Sequence, residues 1–180
     1  MLRFEKITIP DSGTEISSYI FRHCDNLKGN LFDNAYYMGN KENPYFVLIK
    51  AKDYDITNCE IHKNTAYIIE DAFRFCECLT ELAMPDGLIS IKGYAFMSCT
   101  QLKHIILPKS IKNIGSHAFY HCNNIKKVYY TGTIKDLSNN PLSEYKFRPF
   151  NKLYYYSEKK PITKGKFWHY DEEMKSIIEW

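Results

Sequence analysis

In 180 residues, 24 lysines and arginines face 21 aspartates and glutamates, and this interspersed net charge of +3 gives a nucleic-acid or anionic-membrane surface no compositional support. Hydrophobic residues make up 44% of the chain, enough for a continuous core, yet no stretch approaches the roughly 18 apolar residues of a membrane span. The opening Met1-Leu2-Arg3-Phe4-Glu5-Lys6 lacks the basic-then-apolar order of a secretion signal, so nothing in it directs export.

The first segment makes sense only beside later ones. Ile9-Pro10, Ile16, Ile20-Phe21, Cys24 and Leu27 carry the offsets of Met84-Pro85, Ile91, Ala95-Phe96, Cys99 and Leu102, and Phe4 and Ile7 match Leu79 and Leu82. The chain therefore starts partway through a repeat, and is expected to be a fragment or to begin inside a longer array, the alternative being that Leu2 and Phe4 close the end themselves. From Lys28 to Lys52 the period breaks. Aromatic and β-branched runs at Ala35-Tyr36-Tyr37-Met38 and Tyr45-Phe46-Val47-Leu48-Ile49 flank a Gly/Asn/Pro turn, the pattern of a β-hairpin.

The register resumes at Ile56 and is clearest in Ala72-Phe73-x-x-Cys76, Ala95-Phe96-x-x-Cys99 and Ala118-Phe119-x-x-Cys122, which return at 23-residue steps. A fixed period of this size is the mark of a solenoid. Leu82 and Met84, two apart, have the spacing of one face of a strand, and Pro85 and Pro108 end it because proline cannot donate to a ladder. Ile91, Ala95, Phe96 and Cys99 have helical spacing, so each coil is expected to be a short strand plus a short helix. A lone unit cannot offset the entropy of its own ordering and needs neighbours to share its core.

Past Thr133 the pattern fails, and Ile134 to Asn151 is predicted as a loop-rich connection. Leu153-Tyr154-Tyr155-Tyr156 is a strand, and Lys166 to Trp180 a hairpin turning at Asp171 to Met174. The expected organisation is a solenoid over 1–133, with its insert at 28–52, and a capping segment over 134–180.

Cys24, Cys76, Cys99 and Cys122 share one slot, and Cys59 falls in the slot of Leu82 and Ile105, so these five are predicted to be buried, reduced and apolar in role. Cys78 is left over and exposed, which fits a reducing or anaerobic setting. His117 and His121, four apart beside Cys122, would share a helix face, but their repeat-mates are Tyr94 and Ser98 and Cys122 belongs to the inward column. No metal site, catalytic residue or cofactor is assigned.

The unit Ile91-x-x-x-Ala95-Phe96-x-x-Cys99-x-x-Leu102-x-x-Ile105-x-Leu107-Pro108 resembles the bacterial BspA-like leucine-rich repeats throughout, over about two thirds of the chain. Departures are the missing proline at Cys59-Glu60-Ile61-His62, and Leu137 where an aromatic is common. The resemblance implies an α/β leucine-rich repeat solenoid, curved, with a short parallel sheet on one face. It also implies a non-enzymatic protein-binding or adhesion role, usually in secreted or cell-surface proteins that bind host or neighbouring-cell proteins.

If Leu82, Ile105 and Val128 point inward, strand alternation turns Glu81, Ala83, His104, Ile106, Lys127 and Tyr129 outward, and these are the candidate ligand-binding residues. Two other functions stay open. Tyr154, Tyr156, Trp168 and Tyr170 could offer ring faces to a glycan, or the chain could be an accessory segment of a larger protein.

Overall fold

The computed structural model describes residues 29–138, 153–162, 164–171 and 176–180. The coil expected around Ile7, Phe21 and Cys24, residues 139–152 and the turn at 172–175 lie outside the described residues.

The elements run in order: β1 (Asn30–Phe32), β2 (Ala35–Met38), β3 (Val47–Ala51), β4 (Asn58–Glu60), β5 (Tyr67–Ile68), β6 (Glu81–Ala83) and β7 (Ser90–Ile91). They continue with β8 (His104–Leu107), β9 (Asn113–Ile114), β10 (Lys127–Tyr130), α1 (Ile134–Ser138), β11 (Leu153–Tyr156), β12 (Phe167–Tyr170) and β13 (Ile177–Glu179). Two sheets wrap one core. The first is β1-β2-β3-β5-β7-β9, and the second is β13-β12-β11-β10-β8-β6-β4.

In the second sheet, β4, β6, β8 and β10 are parallel, with Cys59, Leu82, Ile105 and Val128 in register. All four are buried. Stacking equal coils puts each slot beside its own copy, so the aliphatic slot becomes a continuous ridge. Phe73, Phe96 and Phe119 form the next ridge, their rings stacked at 5.1 Å with interplanar angles of 8° and 6°.

The helix expected in each coil is not formed; those segments are turns, and the fold is a β-solenoid of about four coils. Asp71, Tyr94 and His117, then Phe75, Ser98 and His121, have φ between 55° and 64°. A left-handed residue on either side of each Ala-Phe pair breaks the helical run. The backbone donors turn to the next coil instead: Phe73 N–H donates to Ala95 O, and Phe96 N–H to Ala118 O, both at 2.7 Å. The 91, 95, 96, 99 spacing arises because these paired turns bring the same side chains back to the core. Sheet pairing of β5, β7 and β9 completes the circuit on the remaining side.

At Gly115 an added Cβ would lie 2.3 Å from Gly93 N, so this close approach of coil to coil requires glycine. The inserted hairpin forms as expected, β2 antiparallel to β3, and β3 then runs parallel to β5 as the first strand of the coil stack. Gly39 makes its turn possible, since a Cβ there would meet Asn43 O at 1.8 Å.

At the other end, the connection predicted as loop opens with α1. Asp136 Oδ2 accepts from Thr133 N–H (2.7 Å) and Thr133 Oγ1 (2.8 Å), while Asp136 N–H donates to Thr133 Oγ1 (3.2 Å). That reciprocal pairing is a capping box, and Thr133-x-x-Asp136 was its signal in the sequence. The strand and the hairpin predicted after it are both present: β11 and β12 add in parallel to β10, and β13 returns antiparallel.

Candidate functional site

Alternation on these strands sets two rows on the outer face of the second sheet. Glu81, His104 and Lys127 are in register as one row, and Ala83, Ile106 and Tyr129 as the next. Exposure does not follow the rows. Glu81 and Ala83 are exposed, His104, Ile106 and Lys127 are half-buried, and Tyr129 is buried at 6%.

The reason lies in β13. Glu179 Oε1 accepts from both Lys127 Nζ (2.5 Å) and Tyr129 Oη (2.6 Å). In the sheet β13 stands three strands from β10, about 14 Å away if flat. A direct contact between them requires the outer face to curl closed. The curl encloses Trp168, which is 0% exposed although it belongs to that face, and its Nε1–H donates to Tyr130 O at 3.0 Å. Tyr129, Tyr156 and Tyr170 ring it at centroid distances of 5.4, 5.5 and 4.9 Å. The expectation that Tyr129 is a free outward side chain is therefore corrected, and so is the use of Trp168 as a ring platform for sugars.

Electrostatics follow the same geometry. Burial alone would push Glu179 up, but hydrogen bonds from Lys127 and Tyr129 hold it below the ordinary carboxylate value. The hydrogen bond to Glu179 in turn raises Lys127. Lys127 Nζ also lies 5.5 Å from the Tyr154 ring, and Lys166 Nζ lies 5.9 Å from the same ring.

A family model described as a BspA type leucine rich repeat region, in six copies, matches residues 1–40 and 51–170. The chain belongs to the BspA-type leucine-rich repeat family. Among solved structures it is similar to a leucine-rich repeat protein from Bacteroides ovatus ATCC 8483, at 26% identity, covering 84% of this chain and 42% of that one, with a TM-score of 0.49. The chain thus spans less than half of that protein's length. It is also similar to the T. pallidum leucine-rich repeat protein TpLRR, at 18% identity over 57% of this chain and 71% of that one, with a TM-score of 0.41. No curated protein matches the chain.

Within this BspA-type solenoid the repeated thiols have a structural task. Cys99 Sγ donates to Phe73 O (3.2 Å) and Cys122 Sγ to Phe96 O (2.9 Å), each tying one coil to the one before. Burial pushes the Cys76 thiol up to about 11 and the Cys59 thiol up to about 12, and the contact with Cys122 together with burial also raises Cys99. These thiols stay protonated near neutrality, unlike a catalytic nucleophile. Cys78 is exposed, as the leftover slot predicts; Cys24 lies outside the described residues.

His117 stacks on Tyr94 at 5.3 Å and shares a hydrogen bond with Ser116 Oγ, while Cys122 faces inward. His117, His121 and Cys122 are not brought together, and among the described residues no group of three or more His, Cys, Asp or Glu could hold a metal ion. Also among the described residues, no helix is long and apolar enough to cross a membrane.

A feature that the repeat did not announce lies where the strands of the second sheet end. Asp86, Thr131, Tyr156 and Tyr170 line a cleft of about 360 Å³. They come from four different strand ends, so only the curl of the sheet brings them together.

Proposed function

We propose that this chain is a non-enzymatic protein-binding module whose ligand lies across the outer face of β6 and β8, on Glu81, Ala83, His104 and Ile106. Lys127 and Tyr129 form the wall of that surface rather than its floor. The observation that carries the reading is the short apolar stripe of Ala83 and Ile106 beside the mixed-charge row of Glu81 and His104. An apolar strip with a polar border suits a protein or peptide, whereas a phosphate backbone needs a basic surface.

Several extensions belong to this reading. A surface protein of a host or neighbouring cell is the class of partner, adhesion the class of role, and residues 134–180 act as the cap of a solenoid over 1–133. The test is to recover partners from extracellular matrix and cell-envelope proteins on the immobilised chain, then to measure affinity for variants. Ile106→Asp should weaken binding about tenfold or more. Lys112→Asp, an exposed change at the other sheet, should leave it unchanged. Full affinity in Ile106→Asp would sink the reading.

A further inference from the structure

The outer face carries its charges unevenly. Toward the start of β10, Lys127 is paired with Glu179, and the ammonium groups of Lys127 and Lys166 both lie near the Tyr154 ring, at 5.5 and 5.9 Å. Toward the strand ends the balance reverses. Asp86 is exposed and has no ion-pair partner among the described residues, and no described cation lies over Tyr156 or Tyr170.

These three residues share the cleft with Thr131, and packing contacts hold its walls. Tyr156 and Tyr170 both make T-shaped contacts with the buried Trp168, at interplanar angles of 76° and 77°. Thr131 Oγ1 is fixed by the Lys109 N–H at 2.9 Å. Burial, then the negative charge of Asp86, raise the Tyr170 hydroxyl above its ordinary value. An anion would meet Asp86 head-on. A cation would gain a carboxylate and two tyrosine side chains that line the same cleft.

We propose that this cleft receives a guanidinium group, the arginine side chain of the bound protein partner, with Asp86 as its counter-ion and Tyr156 and Tyr170 as its aromatic walls. Guanidinium fits better than ammonium because its planar fork matches a carboxylate, its face stacks on tyrosine, and it sheds water more readily. The proposal rests on the protein-binding reading and supplies one anchor for the partner, beside the apolar stripe.

The test uses the full chain, followed by NMR, with Nα-acetyl-arginine methylamide as the probe and the neutral isostere Nα-acetyl-citrulline methylamide beside it. Galactose and N-acetylglucosamine serve as the glycan arm. The arginine probe should shift resonances of Tyr156 and Tyr170 with roughly tenfold greater affinity than citrulline. Asp86→Asn should remove most of that preference with an unchanged fold, and the exposed control Glu77→Gln should keep it. Equal binding of citrulline, an unaffected Asp86→Asn, or a sugar that binds the cleft in preference to the arginine probe would each overturn the proposal.

Affinity for the recovered partner separates the two readings. Loss in Ile106→Asp with no change in Asp86→Asn overturns the arginine anchor alone. Loss in Asp86→Asn with no change in Ile106→Asp supports the anchor and sinks the sheet-face reading.

Discussion

Ala83, Ile106 and Tyr129 occupy the same slot of three successive coils, point the same way, and end up exposed, half-buried and buried. Beside Ala83 and Ile106 stand further coils of the same kind. Beside Tyr129 the sheet continues into β11, β12 and β13, which curl over it. A repeat slot thus sets the direction of a side chain, while its strand neighbours set whether that direction leads to water. One half of the face is an open surface and the other is a small second core around Trp168.

The sharpest way to break this contrast is truncation on each side of it. Trp168→Ala removes a fully buried indole and should cost about 3–5 kcal/mol, while Ile106→Ala on the open half should cost about 1 kcal/mol or less. Urea unfolding of both variants measures the difference. If the two costs agree within error, no second core exists.

A smaller effect concerns the clasp that closes the curl. Glu179 is held below its ordinary value when folded, so its contribution is present above the unfolded carboxylate value and lost as pH falls through the folded one. Lys127 is raised, so its share is present below the unfolded lysine value and lost only as alkali passes the folded one. Glu179→Gln should therefore cost about 1 kcal/mol at neutral pH, with the deficit closing in acid. Unfolding of wild type and variant along a pH series tests this, and a deficit that stays constant down to acid would show that the charge of Glu179 contributes nothing to the clasp.

The smallest expected change tests what aims the slots in the first place. Ser98 sits at φ 62°, a conformation that costs an ordinary residue energy and glycine almost none. Ser98→Gly should be neutral or stabilising by up to about 1 kcal/mol in thermal unfolding. Marked destabilisation would mean that the paired left-handed turns are not what returns Phe96 and Cys99 to the core.

Much of this architecture could be read before any coordinates. Leu82, Ile105 and Val128 as an inward column, the inserted hairpin, the terminal hairpin and the exposed Cys78 all follow from spacing and turn residues. Ile91, Ala95, Phe96 and Cys99 misled because two tight turns and two turns of helix return side chains to one face at the same intervals. The hydrogen bonds that tell them apart run to the next coil and leave no mark on periodicity. Asp86 gave no signal either, since its partners in the cleft come from strand ends far along the chain.

What the sequence by itself determined is which side chains recur in the core: the register of the strands, the phenylalanine column and the inward thiols, because each depends on residues within one period and on their copies next door. The tertiary structure alone decided the covered half of the outer face. Glu179 reaches Lys127 across 52 residues of chain and three strands of sheet, a contact between unlike segments that no period governs. It forms because Trp168 can leave water only if the sheet curls over it, and that curl also carries Tyr156 and Tyr170 to Asp86.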